Sequence, residues 1–73
     1  MQTENFGQRI KYLRIKNGMT QKALANNLHV SGKTVSSWEL SRTEPDIASI
    51  IKLSILFRIS LDYLLIGEIN HTL

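Results

Sequence analysis

The chain reads as an all-α domain of five helices, and three observations lead there. Apolar residues recur at helical spacing in five separate stretches, with no strand-like alternation between them. Four of those stretches are opened by a side chain that caps helices well: Thr20, Ser31, Asp46 and Ser60. Glycine or proline punctuates the gaps, at Gly18, Pro45 and Gly67. The 73 residues allow a single domain, 1–73, with a core expected over about 5–67 and a frayed tail over 68–73. A chain of this length buries only about 60% of its unfolded surface, so it needs an efficient helical core or a partner chain. The absence of cysteine excludes a disulfide framework and a thiolate metal site.

The first helix is expected over about Asn5–Asn17. Phe6, Ile10 and Leu13 form its apolar stripe, and Gly18 stops it. The second runs about Gln21–Leu28, with Ala23, Leu24 and Leu28 apolar. The third runs about Gly32–Leu40, with Val35 and Trp38 facing inward. The loop Ser41–Pro45 ends it, because the residue before proline avoids the α region. The fourth helix follows Asp46 to about Phe57, and Ile47, Ile50, Ile51, Ser54 and Phe57 are expected on its core face. The fifth follows Ser60 to about Ile66, with Asp62 in its first turn and Gly67 as the stop.

Charge divides the chain. Residues 1–42 carry Arg9, Lys11, Arg14, Lys16, Lys22, Lys33 and Arg42 against Glu4 and Glu39, a balance of +5. Residues 43–73 carry Lys52 and Arg58 against Glu44, Asp46, Asp62 and Glu68, a balance of −2. A basic N-terminal part suits an anionic partner, although a solvated basic face gives the same count. Lys52, Arg58 and Asp62 interrupt the longest apolar stretch, Ile47–Ile66, so no membrane span is expected. No secretory signal is read at Met1–Asn5, and the cytoplasm is the expected compartment.

The informative stretch is Gln21–Trp38. Two short helices are separated by His29, Val30 and Ser31, and the small Ala25 lets a second helix cross closely. Leu24, Leu28, Val30, Val35 and Trp38 are placed to close a sharp helix-turn-helix corner. The remaining face of the third helix, Gly32, Lys33, Thr34, Ser36 and Ser37, is small and hydrogen-bonding with one cation, which suits a narrow groove.

The segment TQKALANNLHVSGKTVSSWE resembles the helix-turn-helix of the lambda-repressor-like family, which includes Cro-type phage repressors and xenobiotic-response-element-type regulators. FGQRIKYLRIKNGMTQ is similar to that family's first helix, and EPDIASIIKLSILFRISLDYLLIGE to its fourth and fifth. The resemblance implies a compact five-helix bundle that binds a double-stranded DNA operator as a homodimer. It makes the second helix lie across the DNA backbone and the third the recognition helix.

By the same resemblance, Gly32, Lys33, Thr34, Ser36 and Ser37 face the bases. Lys33 is the strongest reader, donating to guanine O6 and N7. Thr34 and Ser37 can donate or accept, and Thr34 can instead reach a phosphate. Gly32 reads nothing directly, which shifts specificity toward DNA shape. Thr20, Gln21, Arg42, Thr43 and the Trp38 indole are phosphate candidates. Gln21 also matches a glutamine that braces a recognition-helix side chain. Arg14 and Glu39 match a family ion pair that ties the first helix to the third. The chain departs from the family pattern at His29, where glycine is usual and φ is often positive, at Ser41, where glycine is common, at Arg58, where glycine or asparagine is frequent, and at Ile55, where a charge is common.

Catalysis finds no footing. There is no cysteine, paired histidine, glycine-rich phosphate loop or Ser-His-Asp layout, so neither an enzyme, a cofactor nor a metal is expected. His29 reads as a turn residue. A small-molecule ligand is not expected either. Ile55, Leu56, Ile66 and Ile69 exceed what one small bundle can bury beside Leu53, Phe57, Leu61, Leu64 and Leu65. They are the expected dimer surface. The rival reading is a protein-interaction module, or antitoxin-type partner, that uses this apolar C-terminal side.

Overall fold

The computed structural model describes residues 5–67. Five helices follow in order: α1 (Phe6–Lys16), α2 (Gln21–Leu28), α3 (Gly32–Glu39), α4 (Ile47–Phe57) and α5 (Leu61–Ile66). No strand occurs among the described residues. Each helix starts on the same device, a polar side chain accepting the backbone N–H three residues on. The pairs are Asn5 with Gln8 (2.8 Å), Thr20 with Ala23 (3.0 Å), Ser31 with Thr34 (3.1 Å), Asp46 with Ser49 (2.9 Å) and Ser60 with Tyr63 (3.0 Å). At α1 the Gln8 side chain also accepts from the Asn5 N–H at 2.9 Å, completing a capping box. Each such cap contributes about 1 kcal/mol.

Helix ends and corners turn through the left-handed region. Gly18 (φ 69°) and Gly67 (φ 89°) do so freely. His29 (φ 60°), Ser41 (φ 61°) and Arg58 (φ 56°) do so as L-residues, at about 1–2 kcal/mol each. These are the three positions where the family pattern favours glycine or asparagine.

The core gathers Ile10 and Leu13 of α1, Leu24, Ala25 and Leu28 of α2, Val35 and Trp38 of α3, Leu53 and Phe57 of α4 and Leu64 of α5. Helix α1 lies close against the end of α3. A Cβ on Gly7 would stand 2.4 Å from the Trp38 carbonyl oxygen, so only glycine fits there.

Helix α4 corrects the expected packing. Ile47 and Ile51 are exposed, at 74% and 44%, and the buried residues are Ser49, Leu53 and Phe57. Ser54 spends its hydroxyl on the Ile51 carbonyl at 2.9 Å. Eight of the eleven α4 residues are apolar, so their spacing alone selects no face. Packing decides, and Ile47, Ile51 and Ile55 form an outward stripe four residues apart. Leu56, expected at the dimer surface, turns instead to the core and is half-buried.

Arg9 gives a second correction. Counted with the basic surface in the sequence, it is only 3% exposed. Its Nε and Nη2 donate to the Leu64 and Leu65 carbonyls, both at 2.9 Å. It thus satisfies carbonyls that the end of α5 would leave open, and sets a positive charge at the negative end of that helix. Gly67 makes room for it, since a Cβ there would meet Arg9 Nη1 at 2.6 Å. No helix among the described residues is long and apolar enough to cross a membrane.

Candidate nucleic-acid interface

The α2–α3 corner closes tightly. With His29 left-handed, the Val30 N–H donates to the Ala25 carbonyl at 3.0 Å and folds the turn under α2. Ala25 is 1% exposed. Leu24, Leu28, Val35 and Trp38 fill the inside of the corner, with Val30 packed against them.

The inner end of α3 is fixed by Glu39. Arg14 Nε donates to its Oε2 at 2.6 Å and Arg14 Nη2 to its Oε1 at 3.1 Å. Gln21 Nε2 adds a third bond to Oε1 at 3.0 Å. Arg14 Nη1 reaches the Met19 carbonyl at 3.0 Å. The ion-pair side chains are 12% and 3% exposed, so this is a buried fork rather than a surface pair. One carboxylate thereby joins α1, α2 and α3, and Arg14 extends the network to the α1–α2 loop. Helix α3 is held by its inner end while its other side faces solvent.

That outer side is polar. Lys33 is exposed, and Gly32, Thr34, Ser36 and Ser37 are half-buried. An open concavity of about 560 Å³ is lined by Lys33, Thr34, Ser36, Ser37, Leu40, Arg42 and Thr43, with no carboxylate among them. The structure therefore brings four of the five expected base-facing residues together with two of the expected phosphate candidates. Gly32 lies beside this group on open ground, since a Cβ there would meet nothing within 4 Å. Two hydroxyl pairs stand on the face, Ser31 with Thr34 (2.9 Å) and Thr43 with Ser37 (2.8 Å).

The remaining candidates sit elsewhere. Thr20 is exposed at the start of α2, with its oxygen used as the cap. Gln21 is half-buried and turned toward Glu39. Trp38 is 4% exposed and belongs to the core. Its indole N–H has no partner among the described residues, none of whose side-chain nitrogens or oxygens is fully buried and unpaired, so that N–H keeps some exposure. Ile55 and Ile66 are exposed, at 70% and 67%, away from the concavity on α4 and α5. Ile69 lies outside the described residues.

Leu40 was not anticipated. It is 58% exposed at the rim of the concavity. Its place was legible, because Lys33, Ser36, Ser37 and Leu40 fall at helical steps of three and four on one face. Among the described residues, no group of three His, Asp or Glu side chains gathers as a metal site would need.

Comparison with known proteins agrees with this geometry. A family described as "Helix-turn-helix" matches residues 10–64. The "Repressor protein C2" of Salmonella phage P22 is 39% identical over 72 residues, covering 99% of this chain and 33% of that protein. The "HTH-type transcriptional regulator ImmR" of Bacillus subtilis is 39% identical over 61 residues, covering 84% of this chain and 48% of its own length. This chain thus spans a third to about half of these relatives. Among solved structures, the P22 c2 repressor in complex with a synthetic operator superposes with a TM-score of 0.85 at 39% identity. That match covers 90% of this chain and all of the other.

Proposed function

This chain belongs to the helix-turn-helix family, and on that premise we propose that it is a sequence-specific transcription regulator that binds double-stranded DNA. The regulator is a repressor of phage or mobile-element type, acting in the cytoplasm. The observation that carries the reading is the build of α3. Its inner end is locked by the Glu39 fork, and its outer face offers Lys33, Thr34, Ser36 and Ser37 in one acid-free concavity. A helix so held enters a major groove as a rigid body. Lys33 donates to guanine O6 or N7, and Leu40 is placed to meet a thymine methyl. Arg42, Thr20 and the Trp38 indole take phosphates on the flanks. The repressor–operator complex of the similar P22 protein supports this docking.

The protein works as a homodimer through its α4–α5 side, where Ile55 and Ile66 are exposed together with Ile47, Ile51 and Leu65. The operator is then an inverted repeat with half-site centres about 34–36 Å apart. Selection from a random duplex pool tests the whole reading. The expected result is a palindromic consensus whose affinity falls with salt, log K dropping about 0.9 per log unit of salt for each phosphate neutralised. A pool that remains random after selection at low salt overturns it.

The exposed Ile47, Ile51 and Ile55 stripe favours one second reading, a module that binds another protein through α4. Such a contact would hold its affinity across the same salt series.

A further inference from the structure

The short segment after α3 is wound back onto the reading face. Ser41 takes a left-handed conformation (φ 61°), and the chain reverses there. The Arg42 N–H then donates to the Ser37 carbonyl at 2.9 Å, and the Thr43 N–H reaches the same carbonyl at 3.5 Å. The Thr43 hydroxyl donates to the Ser37 hydroxyl oxygen at 2.8 Å. One contact from Arg42 and two from Thr43 thus converge on Ser37 of α3, and the hydroxyl contact gives a polarity to a side chain on the candidate reading face.

A serine hydroxyl carries one hydrogen and two lone pairs, and in isolation reads donors and acceptors alike. In helices that hydrogen commonly goes to the backbone, as it does at Ser54 with the Ile51 carbonyl (2.9 Å). Ser37 makes no such bond among the described residues. Its oxygen accepts the hydrogen bond from the Thr43 hydroxyl, which leaves its own O–H to donate. A hydroxyl that accepts one hydrogen bond is polarised into a better donor. The other pair on this face, Ser31 with Thr34, has no such direction, since either oxygen there can donate.

We propose that Thr43 is a positioning residue, which makes Ser37 a hydrogen-bond donor toward DNA and so disfavours cytosine at the base Ser37 meets. Guanine offers N7 and O6 in the major groove, adenine N7 and thymine O4, whereas cytosine presents only its N4 amino donors. The inference rests on the DNA-binding reading above and reassigns Thr43, there a phosphate candidate, to act through Ser37. It also gives the left-handed Ser41 a use, since that reversal is what returns Thr43 to α3.

The test is selection from a random duplex pool with the wild type, Ser37→Ala, Thr43→Val and Thr43→Ser, each first checked for an unchanged melting midpoint. The position whose preference disappears in Ser37→Ala identifies the base met by Ser37. There the wild type is expected to disfavour cytosine about threefold to tenfold, the worth of one neutral hydrogen bond. Thr43→Val is expected to lose that preference at the same position alone, with an unchanged salt slope. Thr43→Ser, which keeps the hydroxyl, is expected to retain it. If Thr43→Val instead weakens all sequences equally and lowers the salt slope, Thr43 is a phosphate ligand and the assignment falls. An unchanged Thr43→Val profile overturns the assignment and leaves DNA binding standing. A wild type that selects no sequence overturns the DNA-binding reading and the assignment with it.

Discussion

The two halves of the molecule are held by different means. In α1–α3 an apolar core is joined by a small set of directional polar contacts. Glu39 gathers Arg14 and Gln21, so that one carboxylate ties three helices together. In α4–α5 the contacts are apolar, with more hydrophobic surface than the core can use, and Ile47, Ile55 and Ile66 are left outside. Beside the shared core, a polar tie between the halves comes from α1, whose Arg9 donates to the α5 carbonyls. Directional bonds set the pose of the helix that would read a base. Burial and one arginine cap hold the helices that carry the exposed isoleucines.

Breaking the polar half should have the largest effect. Arg14→Ala leaves the 3%-exposed Glu39 carboxylate with Gln21 alone, and should cost about 3–5 kcal/mol in urea unfolding. Glu39→Gln, which keeps the shape, should cost less. An unchanged midpoint in Arg14→Ala would remove the fork from the account. Arg9→Met should come next, at about 3 kcal/mol, the low end for two lost charge-assisted bonds. The signature is location: hydrogen exchange should speed up in α5 while α2 and α3 keep their protection. Uniform acceleration would mean that the halves do not separate energetically.

Smaller changes sharpen the contrast. Arg58→Gly relieves a left-handed residue at the α4–α5 corner and should stabilise by about 0.5–1 kcal/mol, after the entropy lost with glycine. That would appear as a rise of a few degrees in melting temperature. The smallest effect concerns pH. Hydrogen bonds from Ser49 hold the Asp46 carboxyl below its ordinary value of 3.8. A lowered folded value means that the contribution is complete above the ordinary pKa. It is lost as pH falls through the lower folded one. Asp46→Asn keeps a capping side chain and should flatten the acid limb of the stability profile. An identical limb would assign acid unfolding to other groups.

How legible each half was follows from the same difference. The α2–α3 corner could be read because its polar and apolar positions are distinct, and because caps and turn residues fall at fixed offsets. The family pattern marks a left-handed turn at His29, and the structure adds Ser41 and Arg58 as left-handed corners. Helix α4 could not be oriented, since apolar residues occupy almost every side and only packing chooses Leu53 and Phe57 over Ile47 and Ile51. Arg9 looked like surface charge because nothing local to α1 reveals carbonyls 55 residues away. Leu40 closes the helix in the sequence pattern, yet its side chain belongs to the outward face. The Thr43–Ser37 bond depends on a backbone reversal at Ser41, which residue types alone do not specify.

The central claim is that the outer face of α3 reads DNA bases from a braced frame. The most direct measurement is the affinity of wild type and Lys33→Ala for the selected operator and for its single-base-pair variants, at one fixed salt concentration. Lys33 is exposed on that face, so its removal should leave folding intact. The expected result is a loss of about 1–3 kcal/mol on the operator, with discrimination vanishing at one base pair in each half-site. Equal weakening on every sequence, with discrimination unchanged at all positions, would make Lys33 a phosphate contact and contradict the claim.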